Sequence, residues 1–321
     1  MKAIVYQEYG SPDVVRHADV DRPAPAAGEV LVRVRAAALN HADLLTLRGT
    51  PLLLRLAFGV RRPKATVLGR AVAGTVAEIG PDVKGLQVGD EVFGEAAQRG
   101  FAEYVAIPAK RLARKPEQMT FEQAATLPVA GITALQALRL GAARPGTTVL
   151  VNGASGGVGT FTVQLAKALG AEVTGVCSTR NAELVRSLGA DHVIDYTRED
   201  FTRDARRFDV LIDMVGNHPI SALRRLLAPG GIYIASHSAG GPVLGPIPRL
   251  LATVAQTPFV RQRLRVLTSR STAEDLWTLA GFVADGKVTP VIERTYPLSE
   301  TADALRLLER EHARGKIVLL T

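Results

Sequence analysis

Residues 147–168 read T-T-V-L-V-N-G-A-S-G-G-V-G-T-F-T-V-Q-L-A-K-A: an apolar strand, a glycine turn and a helix in immediate succession. Val149, Leu150 and Val151 have the unbroken apolar character of a parallel strand covered on both faces. Gly153, Gly156, Gly157 and Gly159 let the backbone turn sharply and approach a ligand with no Cβ in the way. The helix aims its free N–H groups and the positive end of its dipole at that turn, which suits a pyrophosphate. In the register Ala154-x-Gly156-x-x-Gly159 an alanine replaces the first glycine of G-x-G-x-x-G. Taken alone, the string therefore also suits a turn that only closes a strand against a helix.

The residues beyond the turn narrow the choice. A second strand at 172–177 ends in Ser178, Thr179 and Arg180, about 20 residues past the glycines, where a βαβ unit recognises a ribose. NAD calls for a carboxylate there. Two hydroxyls and a guanidinium suit a 2′-phosphate instead, so the expected cofactor is NADPH. The expected contacts at the turn are Ala154, Ser155, Gly156, Gly157, Val158 and Gly159. The plainer alternative makes Ser178 the cap of a helix at 182–188 and Arg180 a solvated charge.

With 321 residues the chain is long for one core, and 47% apolar residues suffice for two. The half from 1 to about 122 is β-rich, with alternating runs at 3–6, 29–36, 71–79, 91–93 and 103–107 separated by Gly and Pro, and reads as a β-barrel-like domain. After a helical run at 122–140, strands at 148–152, 172–177, 193–195, 210–214 and 232–236 alternate with helices at 158–169, 181–188 and 219–227. That alternation implies an α/β doubly wound parallel sheet, closed at its edge by a last strand at 266–269. The tail, with strands at 291–296 and 317–320 and an amphipathic helix at 300–310, returns to the texture of the first half. The expected division is 1–122 with 288–321, and 123–287.

Net charge is +8, but the basic residues are scattered, with small clusters at Arg61, Arg62, Lys64 and at Arg261, Arg263, Arg265. No nucleic-acid partner is expected from that distribution. The single Cys177 excludes an intrachain disulfide and a cysteine metal cage. No signal peptide or bilayer-spanning stretch is seen, so the expectation is a cytoplasmic protein with no membrane partner.

Several strings in order carry a family likeness: A-L-N-H-A-D at 38–43, G-L-Q-V-G-D-E-V at 85–92, G-F-A-E-Y at 100–104, the glycine turn, L-G-A-D at 188–191 and G-K-I-V at 315–318. Over its whole length the chain resembles the medium-chain dehydrogenase/reductase superfamily, and within it the zinc-independent quinone oxidoreductases. The resemblance implies a GroES-like substrate domain, a Rossmann domain, and NADPH-driven reduction of quinones or other activated double bonds. Alcohol dehydrogenases of the wider superfamily hold catalytic zinc through a Cys where this chain has Asn40, and through a His-Glu pair where it has Arg70-Ala71. The remaining histidines lack ligand spacing, so a metal-free mechanism is expected.

Without a Lewis acid, ordinary alcohol oxidation is disfavoured, whereas hydride addition to a quinone or α,β-unsaturated carbonyl needs only orientation and a few donors. Asn40, His41 and Asp43 are the candidate catalytic residues: Asn40 as a donor to a carbonyl, Asp43 as its orienter, His41 as a proton source. Asn40 and Asp43 equally suit the cap of a helix at 42–47. Further cofactor contacts are expected at strand ends, at Tyr196, Val215, Gly216, Ser236 and His237, with Lys316 crossing back from the tail. Residues 51–63 form either an apolar lid or a buried helix, and 240–260 another pocket wall.

Two other readings compete. G-A-S-G-G also fits G-x-S-x-G, which would make Ser155 a hydrolase nucleophile with Asp209 or Asp213 and His237. A binding protein that keeps NADPH as a structural or sensory ligand fits the same motifs. The expected assembly is a homodimer paired through the last strand of the sheet.

Overall fold

The computed structural model describes residues 1–236, 243–256, 260–310 and 313–321. Packing divides the chain into two compact units, one of residues 1–132, 271–285 and 290–321, the other of residues 133–270 and 286–289.

The first unit is built around Glu29–Ala38, whose valines and alanines suit a strand covered along most of its length. Val30, Val32 and Val34 are buried while Arg33 and Arg35 reach solvent. One edge of this strand pairs antiparallel with Ala71–Ile79. The other edge is shared: Glu29 to Arg33 pair with Tyr104–Pro108, and Ala36 to Ala38 pair with Lys316–Leu320. One long strand thus joins the tail to the sheet of the first half. Ile292–Pro297 extends the sheet beyond the tail strand, and Glu91–Glu95 and Leu112–Arg114 extend it on the other side.

The second unit holds a six-stranded sheet in the order His192–Asp195, Glu172–Cys177, Thr148–Asn152, Phe208–Asp213, Leu227–Ala235, Arg263–Val266, parallel throughout. Its strand order reverses beside Thr148–Asn152, the point at which doubly wound sheets collect ligands. Val149, Leu150 and Val151 are fully buried, as the apolar run requires. The α/β class, the Rossmann sheet and the β-domain all stand as read from the sequence.

Three differences have physical causes. The last strand covers Arg263–Val266 rather than 266–269, because an edge strand needs only Leu264 inside and tolerates an arginine on either side of it. Residues 123–132 and 271–285, placed with the Rossmann half by the expected division at 123–287, pack with the first unit. The helical run at 121–140 is broken by a wide turn, Leu127–Gly131, in which the Ile132 N–H reaches back to the Leu127 carbonyl. Pro128 lies in that turn, having no N–H for a regular helix.

Close strand packing makes one glycine decisive in the first unit. A Cβ at Gly74 would lie 2.0 Å from the Arg33 carbonyl oxygen. Gly74→Ala is expected to cost about 1–3 kcal/mol of stability through backbone displacement. Urea unfolding at unchanged m-value measures it.

Candidate active site

The glycine turn of the second unit is shaped by close approach. Gly153 takes φ +91°, and a Cβ on Gly159 would lie 2.1 Å from the Gly153 oxygen. The helix Gly157–Ala168 begins at Gly156, which has no side chain to cap it. Its first N–H groups are therefore presented to whatever occupies the turn. Ala154 and Ser155 are buried, while Gly156, Gly157 and Val158 are partly open. The Ser155 hydroxyl accepts a 3.0 Å hydrogen bond from Asn181 Nδ2. That leaves its proton to be donated. Asn181 is 1% exposed, and its Oδ1 has no partner among the described residues.

At the end of Glu172–Cys177, Ser178, Thr179 and Arg180 stand together as expected. Thr179 gives its hydroxyl to Asp195, and Thr197 donates to the same carboxylate through N–H (3.0 Å) and Oγ1 (2.7 Å). These bonds, Thr179's first, hold the Asp195 carboxyl below its usual range. A hollow of about 440 Å³ opens there, walled by Arg180, Arg186 and Arg198 with Asp195 and Glu183. Three guanidinium groups face two carboxylates, one of them already engaged by threonines. A neighbouring hollow of about 380 Å³ is lined by Tyr196, Asn217 and His218.

Asp213, wholly buried at the end of the central strand Phe208–Asp213, organises the adjoining loop. Its Oδ1 accepts from Asn152 Nδ2 (2.9 Å) and from the N–H groups of Val215 (3.2 Å) and Gly216 (2.9 Å). Its Oδ2 accepts from the Tyr233 hydroxyl (2.9 Å) and Arg249 (3.4 Å), and Arg249 also holds the His218 carbonyl at 2.5 Å. Burial among these partners pushes the Tyr233 phenol up. Val215 and Gly216 thus sit at the strand end as anticipated, with their N–H groups committed to Asp213. Ser236 follows the next strand and donates its N–H to Asp213 O at 3.0 Å. His237 lies outside the described residues, as do parts of the 240–260 segment.

In the first unit the structure brings Asn40, Asp43 and Lys316 together. Asn40 Nδ2 donates to Ala38 O (3.0 Å) and Asp43 Oδ2 (3.4 Å), and its Oδ1 accepts from Lys316 Nζ at 2.6 Å. Both amide donors point into the protein, so the structure gives Asn40 a positioning geometry rather than the open donor foreseen for it. Asp43 Oδ2 also accepts the Asn40 N–H at 2.8 Å at the head of the helix His41–Arg48, the capping geometry that the sequence offered as the alternative. Lys316, 4% exposed, turns its ammonium onto the Leu39 carbonyl and Asn40, within its own unit, instead of outward to a cofactor.

Burial pushes the Asp43 carboxyl up to about 6, against hydrogen bonds from Asn40 and the charges of Arg70 and Lys316. Burial likewise brings Lys316 down to about 8, with Asp43 opposing. Asp43 Oδ1 has no partner among the described residues. His41 keeps an exposed side chain, while the protein crowded around it and the nearby Arg48 lower its pKa, leaving a neutral imidazole at neutral pH. The hydrolase triad's His237 lies outside the described residues, and its acid candidates are engaged elsewhere: Asp209 holds Thr148 at 2.9 Å and Asp213 is enclosed by Asn152, Tyr233 and Arg249. Among the described residues no three His, Cys, Asp or Glu side chains come together as metal ligands.

Similarity to known proteins agrees with this geometry. The alcohol dehydrogenase GroES-like domain matches residues 26–117 and the zinc-binding dehydrogenase family matches residues 188–319. The 2-methylene-furan-3-one reductase of Solanum lycopersicum is 35% identical over 99% of this chain and 79% of its own. The chloroplast envelope quinone oxidoreductase homolog of Arabidopsis thaliana is 32% identical over 99% of this chain and 98% of its own. The quinone oxidoreductase structure from Coxiella burnetii superposes with a TM-score of 0.88 at 32% identity, covering 100% of this chain and 99% of that one. The chain belongs to the medium-chain dehydrogenase/reductase superfamily, of zinc-independent quinone oxidoreductase type. It is an oxidoreductase whose fold binds a nicotinamide cofactor.

Sequence reasoning missed Asn181, Asn152, Tyr233 and Arg249 in this oxidoreductase. A polar residue closing each buried central strand, Asn152 after V-L-V and Asp213 after V-L-I, was the available signal. Arg249 left none, since it reaches Asp213 from 36 residues away.

The titrations and the turn each set an expected outcome. The Asp43 carboxyl holds its proton to about 6 when folded and to about 3.8 when unfolded, so the folded chain binds more protons between these values and stability falls as pH rises through them. Asp43→Asn lacks this term, and melting temperatures of the two proteins across that window should converge or cross with rising pH. Gly159→Ala should abolish binding of the reduced nicotinamide cofactor followed by its fluorescence, because the methyl displaces the Gly153 carbonyl that shapes the turn.

Proposed function

We propose that the chain is an NADPH-dependent reductase that adds hydride to a quinone or to the β-carbon of an α,β-unsaturated carbonyl without a metal. The observation that carries the NADPH reading is the hollow at the end of Glu172–Cys177, with Arg180, Arg186 and Arg198 in its wall and no carboxylate among Ser178, Thr179 and Arg180. Guanidinium groups bind a 2′-phosphate through charge-assisted hydrogen bonds, and a ribose 2′-hydroxyl gains little from them. The residues fit the cofactor at the turn as well: a helix start without a capping side chain, a glycine too closely packed for a Cβ, and a Ser155 proton left available by Asn181. The bound cofactor supplies a hydride. Ser155 and the N–H groups of the first helical turn would hold its pyrophosphate, with the loop shaped by Val215 and Gly216 following the next strand.

For the acceptor, the chain has to hold a carbonyl oxygen on which charge develops and to allow a proton to reach the product. His41, exposed and with a lowered pKa, is the candidate that offers an N–H hydrogen bond to the developing oxygen, and solvent supplies the proton. Asn40 and Asp43, with Lys316, fix the turn that carries His41. The zinc-ligand positions of alcohol dehydrogenases hold Asn40, Arg70 and Ala71, which supports the metal-free reading, and Arg70 is committed to Glu95 at 2.7 Å. Relatives named for alkenal/one and quinone reduction support the acceptor class. A homodimer joined at the edge strand Arg263–Val266 is the proposed assembly, and sedimentation equilibrium should return twice the 34.2 kDa of one chain.

Consumption of NADPH absorbance with a simple quinone and with an enone tests the activity, and binding without turnover on every acceptor would favour the sensor reading. Arg180→Ala should lower kcat/KM for NADPH by roughly ten- to a hundredfold and leave that for NADH nearly unchanged, as expected for loss of one charge-assisted phosphate contact. An equal loss with both coenzymes would remove the assignment of the 2′-phosphate to this hollow.

A further inference from the structure

Between Asp43 and Glu78 the chain contains no acidic residue and six basic ones, Arg48, Arg55, Arg61, Arg62, Lys64 and Arg70. In the middle of this stretch the short turns Leu52–Leu54 and Arg55–Phe58 carry Leu52 at 43%, Leu53 at 40% and Leu56 at 68% exposure, followed by Val60 at 62%. The segment is therefore not the buried helix that its apolar content allows. Scattered surface leucines need no explanation, but four large apolar side chains within nine residues form a patch.

The backbone beneath the patch is firmly held. The Tyr9 hydroxyl donates to the Gly59 carbonyl at 2.7 Å, the Lys64 N–H donates to the Phe58 carbonyl at 2.8 Å, and the Gly59 N–H donates to the Arg55 carbonyl at 2.8 Å. Gly59 takes φ +119°, and a Cβ there would lie 2.0 Å from the Arg62 oxygen. Charges are sorted around this frame. Arg48 pairs with Glu309 and Arg70 with Glu95, while Arg55 turns inward to the Gly49 carbonyl at 3.0 Å and lies over the Tyr9 ring at 4.4 Å. Arg61 and Arg62 remain exposed beside the leucines, as does Lys64, whose Nζ also donates to the Ala57 carbonyl at 3.3 Å.

We propose that residues 52–64 form a docking surface for an anionic lipid bilayer, with Leu52, Leu53, Leu56 and Val60 entering the interface and Arg61, Arg62 and Lys64 meeting the headgroups. The charge complementarity decides the occupant. Apolar side chains next to cations, in a stretch without acidic residues, match the boundary between acyl chains and anionic headgroups, where insertion and charge attraction add. A nucleic acid offers the cations a partner but the leucines none, since it is read by stacking and polar contacts. No helix among the described residues is long and apolar enough to cross a membrane, so the contact is peripheral. The proposal does not depend on the acceptor that the enzyme reduces.

The test is cosedimentation of the full chain with vesicles of phosphatidylcholine alone and of phosphatidylcholine mixed with phosphatidylglycerol. The expected result is binding to the mixed vesicles at least roughly tenfold tighter than to the neutral ones, weakened by added salt. Leu53→Glu/Leu56→Glu and, separately, Arg61→Glu/Arg62→Glu should each lower that binding roughly tenfold or more, with melting temperatures close to that of the parent chain. The arginine pair, exposed and outside the packed frame, keeps the test available if the leucine pair fails to fold. Equal binding to both vesicle types, no binding to either, or undiminished binding by the arginine pair overturns the proposal. So does a leucine pair that turns a dimer into a monomer while vesicle binding persists.

Discussion

At Gly159 the first turn of a helix runs so close to the preceding loop that one methyl group would lie 2.1 Å from the Gly153 oxygen. That closeness lets a helix start project over the end of a fully buried strand with nothing but backbone at the front. The parallel sheet supplies the strand, the order reversal beside it supplies the opening, and the absence of side chains supplies the donors. Asn181 then acts from the neighbouring strand end, holding the Ser155 oxygen and leaving the serine proton to be donated.

Buried polar groups set the loops on either side of this frame. Asp213 accepts from a side chain on the adjacent strand, from two loop N–H groups and from a phenol, and so fixes the chain after Phe208–Asp213 in one path. The same economy appears in the first unit, where Lys316 clamps Leu39 and Asn40 while Asp43 holds the Asn40 N–H. A buried, densely bonded network has few alternative arrangements, because each partner withdrawn would leave a further unsatisfied group in a medium of low dielectric. Catalytic-looking residue types thus serve here to hold backbone in place, and the exposed His41 gains its setting from them.

Much of this was legible in the order of residues. Period-two alternation marked Glu29–Ala38 and Ala71–Ile79, and the unbroken apolar run with glycines marked Thr148–Asn152 and its turn. The fold sets Thr179 and Arg180, which follow Glu172–Cys177, in the wall of one hollow with Arg186, Arg198, Glu183 and Asp195. The edge strand Arg263–Val266 was placed three residues late, since its arginines hide the single buried Leu264. The helix Ala273–Ala284 went unread in the sequence, and no local pattern states which of two cores a helix will join.

By itself the sequence determined the two textures, the glycine turn and the family, because backbone sterics and hydrophobic periodicity act over a few neighbouring residues. Tertiary structure alone decided which way the polar side chains face. Asn40 turns inward because Lys316, 276 residues away, is brought against it by strand pairing; Arg249 meets Asp213 across 36 residues; and Leu53 and Leu56 face outward because Tyr9, Lys64 and Gly59 hold the loop beneath them. Such partners come together only when sheets close, and distance along the chain carries no record of them.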